Sequence, residues 1–389
     1  MHPRVIILGM GDTGLLTAVR LARRADVTLV APKGGMVSGQ ELGLRLAQPE
    51  AWLSTSFFAP SRYRSLREAT VVHGRASALD PDARTVLVTG PEGEVRPLTY
   101  DVLVVATGTT SGFWRDGRVE TLDAVEARIR QQAGALEADR SVAVVGGGPS
   151  GVSVAYNLKR RRPAQEVHLV HRGDAVLPAY PPRVRATLTR QLAALGVRLH
   201  LDTAAAIPAQ PPDGPTPGPL VLQPGGEVLT VDRVVWTTGA ARPNTDFLPP
   251  SWLDPDGFVQ VEDTLEVQGQ PGVFAVGDVA ATDPGRSSAR NAGHAVVAAN
   301  VQARLRGQEP RKRFRAPPRH RWGSVVGLQP DGMAVYLPTG RCLHFPGWLA
   351  KWFLFQFVVR WVLFRGIEPF SLQPPRRPHP ARRPDRLRG

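Results

Sequence analysis

Two glycine clusters are the residues whose types and spacing could do chemistry. Gly9-Met10-Gly11-Asp12-Thr13-Gly14 follows the short apolar run Val5 to Leu8 and leads into an amphipathic stretch, Leu15 to Arg24. Gly146-Gly147-Gly148-Pro149-Ser150-Gly151 follows Ser141 to Val145 and leads into Val152 to Arg161. In such a turn the first glycine permits the tight strand-to-helix reversal. The second lets the backbone approach a pyrophosphate, and the third lets helix and strand pack closely. The anion then rests on free N–H groups at the helix N-terminus, where the dipole favours it. One such turn is weak evidence for a dinucleotide site. Two in the same strand–turn–helix context form an internal repeat and point to two bound dinucleotides.

The second strand of each unit ends where an acid usually holds the adenosine ribose. In the first unit that place reads Ala31-Pro32-Lys33, and in the second His171-Arg172. An arginine there can pair with a 2′-phosphate, so the second site leans toward NADPH without excluding NADH. The chain has one cysteine, Cys342, and so no disulfide and no Cys-x-x-Cys pair. Redox chemistry must therefore run through a cofactor alone, and Cys342 is expected to be a small packing residue.

The elements that position these turns follow the same repeat. Val27 to Val30 and Val167 to Val170 read as the second strands. Asp101-Val102-Leu103-Val104-Val105-Ala106-Thr107-Gly108 and Asp232-Arg233-Val234-Val235-Trp236-Thr237-Thr238-Gly239 read as a matching pair of turn, buried strand and small-residue turn. Gly272 to Asp278 is a further strand ending in Gly-Asp, and Ala289 to Leu305 a helical stretch. Ile207 to Pro219, rich in proline and glycine, is expected to be a long surface loop. The fold class is α/β, with two Rossmann-like nucleotide-binding domains and a C-terminal aromatic and basic segment.

With these motifs in this order (GMGDTG, TYDVLVVATG, GGGPSG, TTGAARPN, GVFAVGD), the chain resembles the two-dinucleotide flavoprotein oxidoreductases over about residues 4 to 370. It is most similar to type II NAD(P)H:quinone oxidoreductases and apoptosis-inducing-factor-like reductases. The resemblance implies an FAD domain (1–112 and 240–310) interrupted by an NAD(P)H domain (113–239). Gly9, Gly11 and Gly14 would hold the FAD pyrophosphate, with Lys33 at the ribose end, Thr107 and Gly108 close by, and Asp278 on the ribityl side. Gly146, Gly148 and Gly151 would hold the NAD(P)H pyrophosphate, with His171 and Arg172 at its ribose and Gly239 over the nicotinamide. Ser153 stands where many members carry a glutamate. Arg290 and His294 stand where the quinone-reducing members carry two glutamines, and so are the candidate catalytic pair. His294 could give a proton or hydrogen bond to a quinone or the flavin; equally, it could be a helix-surface or interdomain histidine.

The net charge is +14, yet from Arg311 to Gly389 sixteen Lys and Arg face only Asp331, Glu368 and Asp385. The basicity belongs to the C-terminal segment (311–373) and an Arg/Pro-rich tail (374–389) expected to be disordered. The nucleotide-binding body is near neutral, so nucleic acid is not the expected partner. Phe345 to Gly366, FPGWLAKWFLFQFVVRWVLFRG, is barely long enough to span a bilayer, and Lys351, Gln356, Arg360 and Arg365 interrupt it. Its tryptophans suit a membrane interface, and its basic flanks suit anionic headgroups. Burial against the FAD domain or in a homodimer contact is the other reading. No signal peptide is read at Met1 to Gly11, and the expected location is cytoplasmic, on the inner face of the cell membrane. The implied reaction carries hydride from NAD(P)H to flavin and two electrons on to a quinone or another small acceptor. Two rivals stay open: a soluble reductase for a small electron-transfer protein such as a ferredoxin, and a low-turnover flavoprotein that binds nucleic acid or a protein partner.

Overall fold

The computed structural model describes residues 3–208, 212–239, 241–289, 292–317 and 323–368. Arg290 and the tail 374–389 lie outside them. Two parallel sheets organise the chain. The first has the strand order Val273–Ala275, Val102–Val105, Arg4–Leu8, Asp26–Ala31, Thr70–His73, with all neighbours parallel. The second runs Arg198–His200, Glu166–Val170, Ser141–Val145, Arg233–Trp236, also parallel. Its edge is closed by Thr216–Pro217, which pairs antiparallel with Arg233 and Val234. The stretch from Ile207 to Pro219, read as a surface loop, thus ends in a strand.

Parallel strands buried on both faces must be apolar throughout. Val5, Ile7, Val102, Val104, Val142 and Val144 accordingly show almost no surface. The last strand of the first sheet comes from after the second unit, so the second unit is an insertion within the first.

The repeated Asp–strand–Thr-Gly segment has a physical cause. Asp101 Oδ2 accepts the backbone N–H of Arg4 at 2.7 Å. Asp232 Oδ2 accepts those of Arg140 and Ser141, each at 2.8 Å. In both units the carboxylate pins the start of the closing strand to the start of the first. These hydrogen bonds hold both acids below the usual carboxylate range, the one from Arg4 leading for Asp101 and that from Ser141 for Asp232.

The chain crosses between the two units twice, and the crossings are stitched together. Thr109–Thr110 pairs antiparallel with Arg242–Pro243. Asn244 Nδ2 donates to the Thr107 carbonyl at 3.0 Å, while Thr107 Oγ1 donates to the Asn244 carbonyl at 2.8 Å. A second junction lies at helix Leu42–Ala47, which packs on helix Pro149–Arg161; a Cβ on Gly43 would meet the Ser153 carbonyl oxygen at 2.2 Å. Ser153 is buried in that junction.

After Arg306 the chain forms a three-stranded antiparallel sheet, Leu328–Gln329, Gly332–Tyr336 and Cys342–Phe345. A helix follows, Gly347–Leu349 continuing as Ala350–Leu363 with π-type hydrogen bonding. Cys342, expected to pack inside, is exposed on its edge strand. Among the described residues no helix is long and apolar enough to cross a membrane.

Candidate active site

A cleft lies at the C-terminal ends of the first sheet's strands, where ligands bind in open parallel sheets. It encloses about 1160 Å³ of empty space counting its open mouth. Gly9, Gly11, Lys33, Thr107, Gly108 and Asp278 all line it, so six residues picked from the sequence converge. A smaller hollow bordered by Val30, Gly74 and Phe247 shares Gly9, Pro32, Thr107 and Asn244 with it, extending the groove over the end of the second strand.

The glycines divide the labour. Gly9 has φ 109°, and a Cβ there would lie 2.3 Å from the Ala106 carbonyl oxygen. Gly14 does not line the cleft; its Cβ would lie 2.1 Å from the Gly9 carbonyl oxygen, which seats the helix Asp12–Leu21 against the turn. A Cβ on Gly11 would meet nothing within 4 Å, because that side faces the cleft. No side chain caps this helix, so its first N–H groups remain available to an anion. An FAD pyrophosphate fits that cradle. One group opposes it: Asp12, in the first turn, is pushed above the usual carboxylate range, by burial first, against the hydrogen bond from Ser38 (Oγ to Oδ2, 3.1 Å) and the Arg115 charge.

Charges line the cleft in pairs. Lys33 Nζ contacts Asp116 Oδ1 and Glu120 Oε2, each at 2.5 Å, and Arg128 bonds the same two acids at 3.1 and 2.7 Å. Burial would raise Asp116, but hydrogen bonds from Arg118 and Lys33 and the nearby cations hold it well below its ordinary range. Lys33 therefore belongs to a network with Asp116, Glu120 and Arg128 as well as lining the cleft. Arg115 donates from Nε to the Gly39 carbonyl at 3.0 Å and pairs through Nη1 with Asp278 Oδ2 at 3.1 Å. Arg115 and Asn244 are site residues that the sequence reading missed. Nothing local marks Arg115; Asn244 could have been found as the asparagine ending the second crossing.

The second site repeats the geometry. Gly146 has φ 119°, and a Cβ on Gly151 would lie 1.8 Å from the Gly146 carbonyl oxygen. Gly148 is open, the helix Pro149–Arg161 has no side-chain cap, and proline occupies its first turn without losing a needed donor. His171 Nδ1 accepts the Gly147 N–H at 3.2 Å, placing the ring against the glycine turn, while Arg172 is exposed beside it. Burial, then the charge of Arg172, pushes His171 below its ordinary value, so the neutral ring keeps its acceptor nitrogen. Gly239 has φ 122° with open space at its Cβ, and the buried Thr238 hydroxyl lacks a partner among the described residues. These features fit a second dinucleotide.

His294 is not among the residues lining the cleft. It is buried in helix Gly293–Leu305, and burial together with the Arg20 charge pushes it down to about 4. It is neutral at pH 7. The structure does not bring it together with the glycines, and Arg290 falls outside the described residues.

Glu41 was missed as well. It stands at φ 57°, a left-handed backbone that side chains rarely adopt, beside the lining residue Gln40. Burial and then the Asp12 charge push its carboxyl from an ordinary 4.5 up to about 7. Between those values the unfolded chain holds fewer protons than the folded one, so stability falls as pH rises through the window. Glu41→Gln is expected to leave the melting temperature nearly unchanged at an acidic pH below 4.5 and raise it near pH 8, with a gain in stability of at most about 3 kcal/mol. Equal shifts at both pH values in a thermal melt would refute this account.

The family model for pyridine nucleotide-disulphide oxidoreductases matches residues 3–300. The chain belongs to that family. It is 31% identical to Oxidoreductase ptaL of Pestalotiopsis fici, over 89% of this chain and 94% of that protein. It is 28% identical to the type II NADH:quinone oxidoreductase Ndh of Mycobacterium tuberculosis, over 80% of this chain and 74% of that one. In fold it is similar to putidaredoxin reductase in its covalent complex with putidaredoxin (TM-score 0.62, 22% identity, 88% of each chain). This family member is an oxidoreductase whose cofactors are FAD and NADH or NADPH. It lacks the cysteine pair of the disulphide-reducing chemistry for which the family is named: Gly39, Gln40 and Glu41 border or adjoin the cleft, and the lone Cys342 stands on an edge strand that does not line it.

Proposed function

We propose that the protein passes electrons from NAD(P)H by way of FAD to a quinone at a membrane surface. FAD, when bound, supplies the two-electron exchange between nicotinamide and acceptor. The chain's own residues bind and orient. Gly9, Gly11 and the uncapped helix behind them take the FAD pyrophosphate, with Lys33, Thr107, Gly108 and Asp278 along the groove. Gly146, Gly148, Gly151 and Gly239 hold NAD(P)H, and Arg172, with His171 beside it, offers a 2′-phosphate a cation. His294, neutral and buried beyond the lining, would act on the acceptor only as a hydrogen-bond donor or acceptor, and Arg290 is the other acceptor-side candidate.

The observation that carries the acceptor assignment is the aromatic helix. Trp348, Phe353, Phe357, Trp361 and Val362 are exposed, Trp348 by 67%. The same helix is fixed to the body by buried Ala350 and by Phe364, whose ring meets Tyr63 at 5.7 Å. Arg360, which would spoil an apolar face, turns inward and donates to the Ser54 carbonyl at 2.8 Å. A row of exposed indole and phenyl rings suits the headgroup boundary of a bilayer.

Stopped-flow mixing tests the reading. Bound flavin should bleach on mixing with NADH or NADPH and recover on adding a short-chain quinone. Flavin that neither nucleotide bleaches would sink the reductase reading; flavin that bleaches but recovers only with a small iron–sulfur protein would replace the quinone with that acceptor.

A further inference from the structure

Beside the aromatic helix lies a second hollow, of about 600 Å³ of empty space open to solvent, lined by Val19, Arg23, Ser65, Trp361 and Arg365. We propose that this hollow binds the phosphate headgroup of an anionic membrane lipid while the neighbouring aromatic rings meet its acyl region. The proposal rests on the membrane reading of the helix and adds a discrete anion site to it.

Three elements build the hollow. The helix Asp12–Leu21 ends there, bringing Val19, with Arg23 just past its end; the turn Arg64–Leu66 supplies Ser65; the aromatic helix ends there with Trp361, and Arg365 follows it. Arg365 holds a left-handed φ of 54°. Phe364 and Ile367 on either side of it are buried, at 5% and 0% exposure, and Ser65 Oγ donates to the Phe364 carbonyl at 3.3 Å. These anchors force the Arg365 side chain out to the rim against its backbone preference. Two exposed arginines thus border one hollow, where a phosphate could take hydrogen bonds from both.

The local acids do not neutralise this pair. Glu368 is engaged by Arg67 at 2.8 Å and Arg64 at 3.7 Å. Glu68 borders the adjoining hollow with Arg23 and is exposed. Among the described residues no carboxylate is ion-paired with Arg20, Arg23 or Arg365, and burial with the Arg365 charge pushes the Arg20 guanidinium down. A phosphate accepts several hydrogen bonds from arginine forks. Trp361, on the wall, continues directly into the exposed Val362 and Leu363. A ligand that satisfies both halves is anionic at one end and greasy at the other, and such a ligand sits in a bilayer.

The test uses the full flavin-loaded chain in vesicle co-sedimentation, with phosphatidylcholine alone or mixed with phosphatidylglycerol. Arg23→Gln with Arg365→Gln is compared with Arg382→Gln plus Arg383→Gln, which removes the same charge from the tail. The wild type should prefer phosphatidylglycerol, and the hollow variant should lose roughly tenfold in that preference, several times more than the tail variant. Trp348→Ser with Phe353→Ser should weaken binding to both vesicle types alike. Equal losses from hollow and tail would overturn the site and leave the membrane reading standing. Wild-type protein that binds neither vesicle would overturn both. Inorganic phosphate that releases the wild type better than chloride at equal ionic strength, with no phosphatidylglycerol preference to begin with, would keep the anion site and reject the lipid as its source.

Discussion

Gly14→Ala is expected to strip the flavin from the protein. The added Cβ would sit 2.1 Å from the Gly9 carbonyl oxygen and 3.2 Å from the Ala106 side chain. The first contact is backbone against backbone, so no side chain can rotate away. Helix Asp12–Leu21 must lift from the strand end that carries Gly9, at about 1–3 kcal/mol. Its free N–H groups move with it, and each hydrogen bond they make to a charged phosphate contributes about 1.5–3 kcal/mol. Loss of one such bond weakens FAD by roughly tenfold or more. The ratio of flavin to protein absorbance after gel filtration reads this directly. A variant that keeps its full flavin would show that the cleft at Gly9 and Gly11 is not the FAD site.

Gly151→Ala should separate the two sites. Its Cβ would lie 1.8 Å from the Gly146 carbonyl oxygen and 2.7 Å from Thr237 Oγ1. The same lift occurs, but in the inserted unit, so flavin content should stay at the wild-type level. The rate at which NADH or NADPH bleaches the flavin at low nucleotide should fall about a hundredfold, the equivalent of one or two lost phosphate bonds. Normal bleaching in this variant, or flavin loss equal to that of Gly14→Ala, would reverse the assignment of the two turns.

The parts of the site that were legible in the sequence are those where backbone geometry leaves one residue type. Gly9 and Gly146 need φ values of 109° and 119° with a carbonyl or side-chain oxygen pressed against the missing Cβ. Asp101 and Asp232 were legible as a repeat, and the structure supplies their reason. Arg115 and Asn244 were not: their partners Asp278 and Thr107 lie 163 and 137 residues away in the chain. The two-sidedness of the aromatic helix was hidden for another reason. From Ala350 to Leu363 the hydrogen bonds follow the wider π pattern, as when Phe364 N–H reaches the Val359 carbonyl. Polar residues judged at 3.6 per turn therefore scatter, although Arg360 in fact points inward. Glu41 and the Arg365 hollow depend on backbone strain that composition does not carry.

The paired crossings at Thr109–Thr110 and Arg242–Pro243 and the tight seat of Gly43 on Ser153 join the inserted unit to its host at places far apart in the chain. Ion pairs add to them: Lys33 reaches Asp116 and Glu120, and Arg115 reaches Asp278, across the same boundary. The inserted unit is thus tied to its host along a seam rather than at a single hinge, and no one substitution among these contacts cuts it loose.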